Sequence, residues 1–333
     1  MSRRASGTSG APVARTGSVT SGPYAPPTPS RTLTVLSADG ARLHVEVHGP
    51  PDAPPVVLSH GWTCSTAFWA AQIRDLAADH RVIAYDQRGH GRSPASPACT
   101  TRVLADDLEA VLAETLTRGE QALIVGHSMG GMTVMAAADR PRFREHAAAV
   151  LLCSTGSSRL IAEARVVPLR AGRVRSWITG RVLGSRAPLG PVTPVAKSVL
   201  KYATMGAGSA PHQVEACARI VHACPRAVRH AWGAVLAALD LDHGVRGLHA
   251  PTAVLHGASD RLTPPVHAHA LVAALPRCVG LTELAGVGHM TPIEAPELVT
   301  GRIRELVTTY VTGAGPADAH EQGSTPAQIK EGA

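Results

Sequence analysis

The sequence predicts an α/β fold: a mostly parallel sheet covered by helices on both faces, with a helical segment inserted late in the chain. Three observations carry that prediction. Short apolar, β-branched runs recur along the chain and alternate with longer amphipathic stretches. The pentapeptide Gly126-His127-Ser128-Met129-Gly130 sits between one such run, Ala122–Val125, and a helix-compatible stretch that begins Gly131-Met132. A proline-punctuated, basic stretch over 154–250 then interrupts the alternation.

The elements follow in order. Thr32–Ser37 and Arg42–Val47 alternate apolar and polar residues around Ala38-Asp39-Gly40, a hairpin signal. Pro55–Ser59 is an apolar run that reads as a buried strand, 65–78 as an amphipathic helix, and Arg81–Tyr85 as the next strand. Thr101 is expected to cap a helix that runs to Thr117. The strand and helix around Ser128 come next, then the strand Ala147–Cys153. Beyond the interruption, strands Thr252–His256 and Gly280–Leu284 flank a helix over Val266–Leu275, and a last helix covers Pro296–Tyr310. Alternating strands and helices imply right-handed crossovers and a parallel sheet, with antiparallel pairing only at the hairpin edge. Sites in such sheets lie beyond the carboxyl ends of the strands, where Ser59-His60, Tyr85-Asp86, Gly126-His127-Ser128 and His256-Gly257 fall.

The organisation expected is a disordered leader over 1–30, a core over 31–153 and 251–312, an inserted helical segment over 154–250, and a disordered tail over 313–333. The leader is Ser, Gly, Thr, Ala and Pro with little to bury, so its removal through residue 28 should leave stability unchanged. Arg3-Arg4 is not followed by the apolar region that an export signal needs. Six scattered cysteines form no metal-binding spacing and read as free thiols of a reducing compartment, hence a cytoplasmic protein, with peripheral contact to the membrane open to it. No apolar run is long enough for a transmembrane helix.

The net charge of +7 is uneven. Residues 154–250 hold thirteen Lys and Arg against four Asp and Glu, while 32–153 hold ten against thirteen. A basic helical surface attracts an anionic lipid or an anionic substrate, or is simply solvated; no nucleic-acid motif accompanies the charge. Leu160–Gly184 mixes Trp177 and branched aliphatics with five Arg, a pattern that suits either a membrane surface or a lid packed on the core.

Ser128 is the chemical focus. A serine on a sharp strand-to-helix turn projects its hydroxyl into a cleft, and small residues two before and two after let the turn close. The helix start behind it points free N–H groups at the site, and that of Met129 is suited to hold an oxyanion. Further motifs fall at His60-Gly61-Trp62, Tyr85–Ser93, His256–Asp260 and Gly286-Val287-Gly288-His289. With these five motifs in this order the sequence resembles the α/β-hydrolase family, from about Arg31 to Tyr310 apart from the stretch near 154–250.

The resemblance implies a serine hydrolase. It assigns His289 as the base, Asp260 as the carboxylate that orients it, and the Trp62 N–H as the second oxyanion donor. The stretch 154–250 looks like the helical cap that many members insert after the sixth strand. It implies a small-molecule carboxylic ester cleaved without a metal or organic cofactor, and the Leu, Val and Ala of the inserted segment suit an apolar or lipid-like acyl group. A serine at 128 disfavours the epoxide hydrolase and dehalogenase branches, which attack with Asp. Thioester hydrolysis, carbon–carbon bond hydrolysis and perhydrolysis use the same residues and stay open, as does a non-catalytic binding protein. Asp86, Arg88 and His127 are expected to brace the structure.

Overall fold

The computed structural model of the protein describes residues 20–313. Eight strands form one sheet: β1 (Arg31–Leu36), β2 (Arg42–His48), β3 (Pro55–Ser59), β4 (Arg81–Tyr85), β5 (Ala122–His127), β6 (Ala147–Cys153), β7 (Thr252–Gly257) and β8 (Cys278–Leu284). Their spatial order is β1-β2-β4-β3-β5-β6-β7-β8. Only the β1–β2 and β2–β4 pairs are antiparallel, and every other pair is parallel.

The apolar runs are continuous because both faces of the sheet are covered. Successive side chains of one strand enter opposite cores. Val57, Ile83, Ile124 and Val150 pack with Leu104, Leu108 and Leu112 of the helix Thr101–Thr115. Val56, Leu58, Val82 and Val125 pack with Trp69 and Ile73 on the other face, and with Val299 and Ile303 of the helix Pro296–Leu306.

The structure corrects several boundaries. The helix expected over 65–78 is a 3₁₀ segment, Thr66–Trp69, that runs into an α-helix, Ala70–Leu76. Thr100, not Thr101, caps the following helix: its side chain accepts the Val103 N–H at 3.3 Å. The last helix ends at Leu306 and continues as a π turn, Val307–Val311. Short helices at Pro141–His146 and Thr291–Glu294 had no strong sequence signal.

The leader is corrected more deeply. Residues 1–19 and the tail over 314–333 lie outside the described residues, but residues 20–30 are packed on the domain. Tyr24 is 5% exposed, and its hydroxyl donates to the Ile293 carbonyl at 3.0 Å. Arg74 donates to the carbonyls of Pro23 and Ala25. Segment 154–250 enters between β6 and β7 and carries the helices Leu160–Glu163, Arg173–Leu183, Pro194–Thr204, Pro211–Ala223, Arg226–Ala237 and Asp242–Gly247. All six cysteines are free. Among the described residues no helix is long and apolar enough to cross a membrane.

Candidate active site

Ser128 leaves β5 with φ +51° and ψ −118°, a backbone state that non-glycine residues rarely adopt. Two close approaches explain the flanking glycines. A Cβ on Gly126 would lie 2.5 Å from the Gly130 carbonyl oxygen, and one on Gly130 would overlap the carbonyl oxygen of Ser59. The strained turn is held by its neighbours. Ser128 N–H donates to Cys153 at 3.0 Å, and its carbonyl accepts the Thr155 hydroxyl at 2.8 Å and the Met132 N–H at 3.1 Å.

The loop after β3 lies against this turn. A Cβ on Gly61 would stand 3.1 Å from the Ser128 Cβ, so only glycine lets the next residue, Trp62, come this close. His60 fixes the loop: its Nδ1–H donates to the Gly61 carbonyl at 2.8 Å and its Nε2 accepts the Gln87 N–H at 3.0 Å. Burial, aided by the neighbouring His90, drops its pKa to about 3, so the ring stays neutral. Neither the Trp62 nor the Met129 backbone N–H has a protein acceptor among the described residues, which leaves both free for a ligand oxygen.

Asp260 and His289 meet beside the cavity that Ser128 lines. His289 Nδ1–H donates to Asp260 Oδ2 at 2.8 Å. The carboxylate is completed by three more donors: Leu262 and Thr263 N–H at 2.8 and 2.9 Å on Oδ1, and the Thr263 hydroxyl at 2.8 Å on Oδ2. Burial raises the Asp260 pKa, but His289 and His256 and the hydrogen bonds from His289 and Thr263 outweigh it and hold the carboxyl below its ordinary value. His289 is fixed through its backbone too. Its N–H donates to Thr204 at 2.8 Å, and its carbonyl accepts His127 Nε2–H at 2.8 Å. Burial and the adjacent His289 push His127 well below the usual histidine range, so it is a neutral brace. Ser128 and His289 line the same cavity, with no hydrogen bond yet formed between their side chains. Such contacts commonly tighten only when substrate is bound.

Two residues were missed by sequence reasoning. Thr263, whose hydroxyl is also 3.1 Å from His289 Nδ1, sits three residues beyond Asp260, the spacing of a side-chain-capped turn. Glu294 collects the N–H groups of Gly206, Gly288 and Met290 at 2.7, 3.0 and 3.0 Å, which ties the His289 loop to the inserted segment. Asp86 and Arg88 lie outside the site. Asp86 accepts the Thr66 and Arg92 N–H groups, and Arg88 pairs with Asp107 and Asp39. Among the described residues no cluster of three or more His, Cys, Asp or Glu could hold a metal ion.

Two spaces open from Ser128. One, of about 40 Å³, is walled by Met132, Leu160, Ile161 and Leu236. The other, of about 650 Å³, also touches His289 and runs out between Trp177, Val182, Leu189 and Val199 of the inserted segment. Its walls are predominantly apolar, and its volume is typical of small-molecule sites.

Residues 54–186 match the sequence profile described as the alpha/beta hydrolase fold. A putative carbamate hydrolase from Variovorax paradoxus is 46% identical over 103 residues, 30% of this chain and 38% of that protein. The chain spans between 20% and 38% of the length of the curated relatives it first matches. The crystal structure of an esterase from Rhodococcus sp. ECU1013 is 24% identical, with a TM-score of 0.70, over 84% of this chain and 99% of that one. A thermophilic esterase from Thermogutta terrifontis, with malate bound, is 25% identical, with a TM-score of 0.68, over 84% and 99%. With its eight-stranded, mostly parallel sheet and its sharp serine turn, the chain has the α/β-hydrolase fold, the fold whose profile residues 54–186 match.

Proposed function

We propose that the protein is a serine hydrolase that cleaves a carboxylic ester through an acyl-enzyme on Ser128. The observation that carries this is the convergence of a strained Ser128, an Asp260-bound His289 and two unpaired N–H groups on one apolar cavity. His289 Nε2 takes the hydroxyl proton as Ser128 Oγ adds to the ester carbonyl. The N–H groups of Trp62 and Met129 receive the oxyanion, a contribution of about 3 kcal/mol for each donor in comparable sites. Collapse expels the alcohol, which takes the proton back from His289, and water repeats the cycle to release the acid.

The two spaces support an orientation for the ester. The leaving oxygen must reach His289, and only the larger cavity touches His289. The alcohol portion therefore belongs in the space of about 650 Å³, and the acyl chain in the one of about 40 Å³. The smaller space has room for roughly three water-sized groups, which suits a short acyl chain. The apolar character expected of the acyl group thus moves to the alcohol side, with the inserted helices as a cap over it. Thioesters fit the same geometry, and comparing matched oxygen and sulfur esters separates the two. An active-site-directed fluorophosphonate should label wild-type protein at Ser128 and leave Ser128→Ala unlabelled. An acetyl ester of a bulky aryl alcohol should outrun its octanoyl counterpart in kcat/KM. Absence of labelling would remove the serine-hydrolase reading, and an octanoyl preference would reverse the orientation alone.

A further inference from the structure

Exposed apolar side chains are concentrated in one place. Eleven large hydrophobic residues are exposed among those described, and eight of them fall between 169 and 202. Trp177 is 67% exposed, Val174 67%, Val195 73% and Val199 62%. Such a cluster on the helices Arg173–Leu183 and Pro194–Thr204 marks an interaction surface rather than scattered exposure.

The charge around the cluster is one-sided. No Asp or Glu occurs between Glu163 and Glu215, while eight Arg and Lys do. Arg165, Arg170, Arg173, Arg181 and Arg186 are exposed and make no ion pair among the described residues. Arg181 lies over the Trp177 ring at 5.8 Å, which keeps cation and indole on the same side. Arg175 is different: it is buried and donates to the Ala162 carbonyl at 2.8 Å, so it does not belong to this face.

We infer that this face docks on an anionic lipid surface, with Trp177 and the neighbouring valines entering the headgroup boundary and the arginines pairing with lipid phosphates. Exposed apolar groups combined with unpaired cations are what binding to such a surface needs. A second copy of the chain fits less well. Two copies meeting symmetrically here would bring their unpaired arginines together with no carboxylate between them. The mouth of the larger cavity opens through the same residues, Trp177, Val182, Leu189 and Val199. A molecule dissolved in the lipid would thereby enter toward Ser128 without crossing water. The docking itself does not depend on the reaction proposed for Ser128.

The test is co-sedimentation of the full chain, wild type and Ser128→Ala, with phosphatidylcholine vesicles and with mixed phosphatidylcholine–phosphatidylglycerol vesicles, at low and high salt. Both proteins should sediment with the anionic vesicles and be released by salt. Trp177 is the most exposed tryptophan, so its emission should shift to the blue on binding, and Trp177→Phe should lose most of that shift. Replacing Arg170, Arg173 and Arg181 together by Gln should weaken partitioning on the order of 100-fold while fluorophosphonate labelling of Ser128 persists. Equal sedimentation with neutral and anionic vesicles, or with neither, would overturn the inference. So would a concentration-dependent dimer abolished by Trp177→Ser, which would make the occupant a second copy. The salt dependence of the unmodified protein keeps the test decisive even if a variant fails to fold.

Discussion

Asp260→Asn isolates the proposed proton path from the fold. The carboxylate faces four donors: two N–H groups on Oδ1, and the Thr263 hydroxyl with His289 Nδ1 on Oδ2. Asparagine has one oxygen to offer. The arrangement with least loss keeps that oxygen on the two N–H groups and turns the amide NH₂ toward Thr263 and His289. The threonine hydroxyl can rotate and accept. His289 can accept only by shifting its proton from Nδ1 to Nε2, the atom that receives the Ser128 proton in the proposed reaction. The base is then in the wrong tautomer, and the imidazolium formed during attack has no counter-charge. In sites built this way the same change costs about 10⁴-fold in kcat, or about 5.4 kcal/mol of barrier. Because both N–H partners are kept, the melting temperature should fall by only a few degrees. Initial rates on an aryl acetate, with melting followed on the same sample, provide the assay. A loss below tenfold, or a loss fully multiplicative with that of Ser128→Ala, would refute the relay, since members of one relay are not additive.

Acid should destabilise the protein from the middle pH range downward. Burial holds His60 at about 3, and His90 and His267 at about 4, while the unfolded chain takes up these protons near pH 6.5. The unfolded state therefore binds more protons, and each histidine removes about 1.4 kcal/mol per pH unit as pH falls through that window. Urea titrations at pH 7, 6 and 5 should show the decline, and His267→Gln should lower its slope by about one proton; a flat profile would contradict the assignment. Tyr24→Phe should cost about 1 kcal/mol for the lost bond to Ile293, and removal of residues 1–28 at least about 3 kcal/mol, with activity on small esters retained. An unchanged melting temperature for the truncated protein would mean that this docking adds nothing.

The strands were legible because each answers to a local rule. Apolar runs covered on both faces end at turn residues, and β6 is bounded as the run Ala147–Cys153 implies. Ser128 was legible because Gly126 and Gly130 are demanded by backbone approaches that no other residue permits. What escaped depends on partners distant in sequence. Tyr24 is a single aromatic in a stretch otherwise poor in apolar residues, and its acceptor lies 269 positions away. Glu294 reads as an ordinary helical carboxylate until the fold brings the Gly206 N–H to it. Arg175 shows a different gap. Composition groups it with the surface arginines, yet Arg175 and Thr179, one turn apart, are the two buried positions of their helix, and that spacing was readable.

The inserted segment is anchored unevenly, and this bears on how the site can change. Its helix Pro194–Thr204 ends against His289, where Thr204 takes the His289 N–H and Glu294 takes those of Gly206 and Gly288. Two chains cross closely there. A Cβ on Gly206 would overlap the Gly286 carbonyl oxygen, and one on Gly288 would stand 2.5 Å from the Gly206 nitrogen. That end cannot shift without moving His289. The helix Arg173–Leu183, which brings Trp177, Ile178, Arg181 and Val182 to the cavity, by contrast makes no hydrogen bond to Ser128, Asp260 or His289 among the described residues. Side chains of that helix can therefore be exchanged, under the proposed reaction, to admit a different alcohol group while the Asp260–His289 pair stays in register. In the proposed reaction, selection of the leaving group is separable from transfer of the proton to the extent that the cavity wall supplied by Arg173–Leu183, unlike that supplied by Thr204, makes no hydrogen bond to His289.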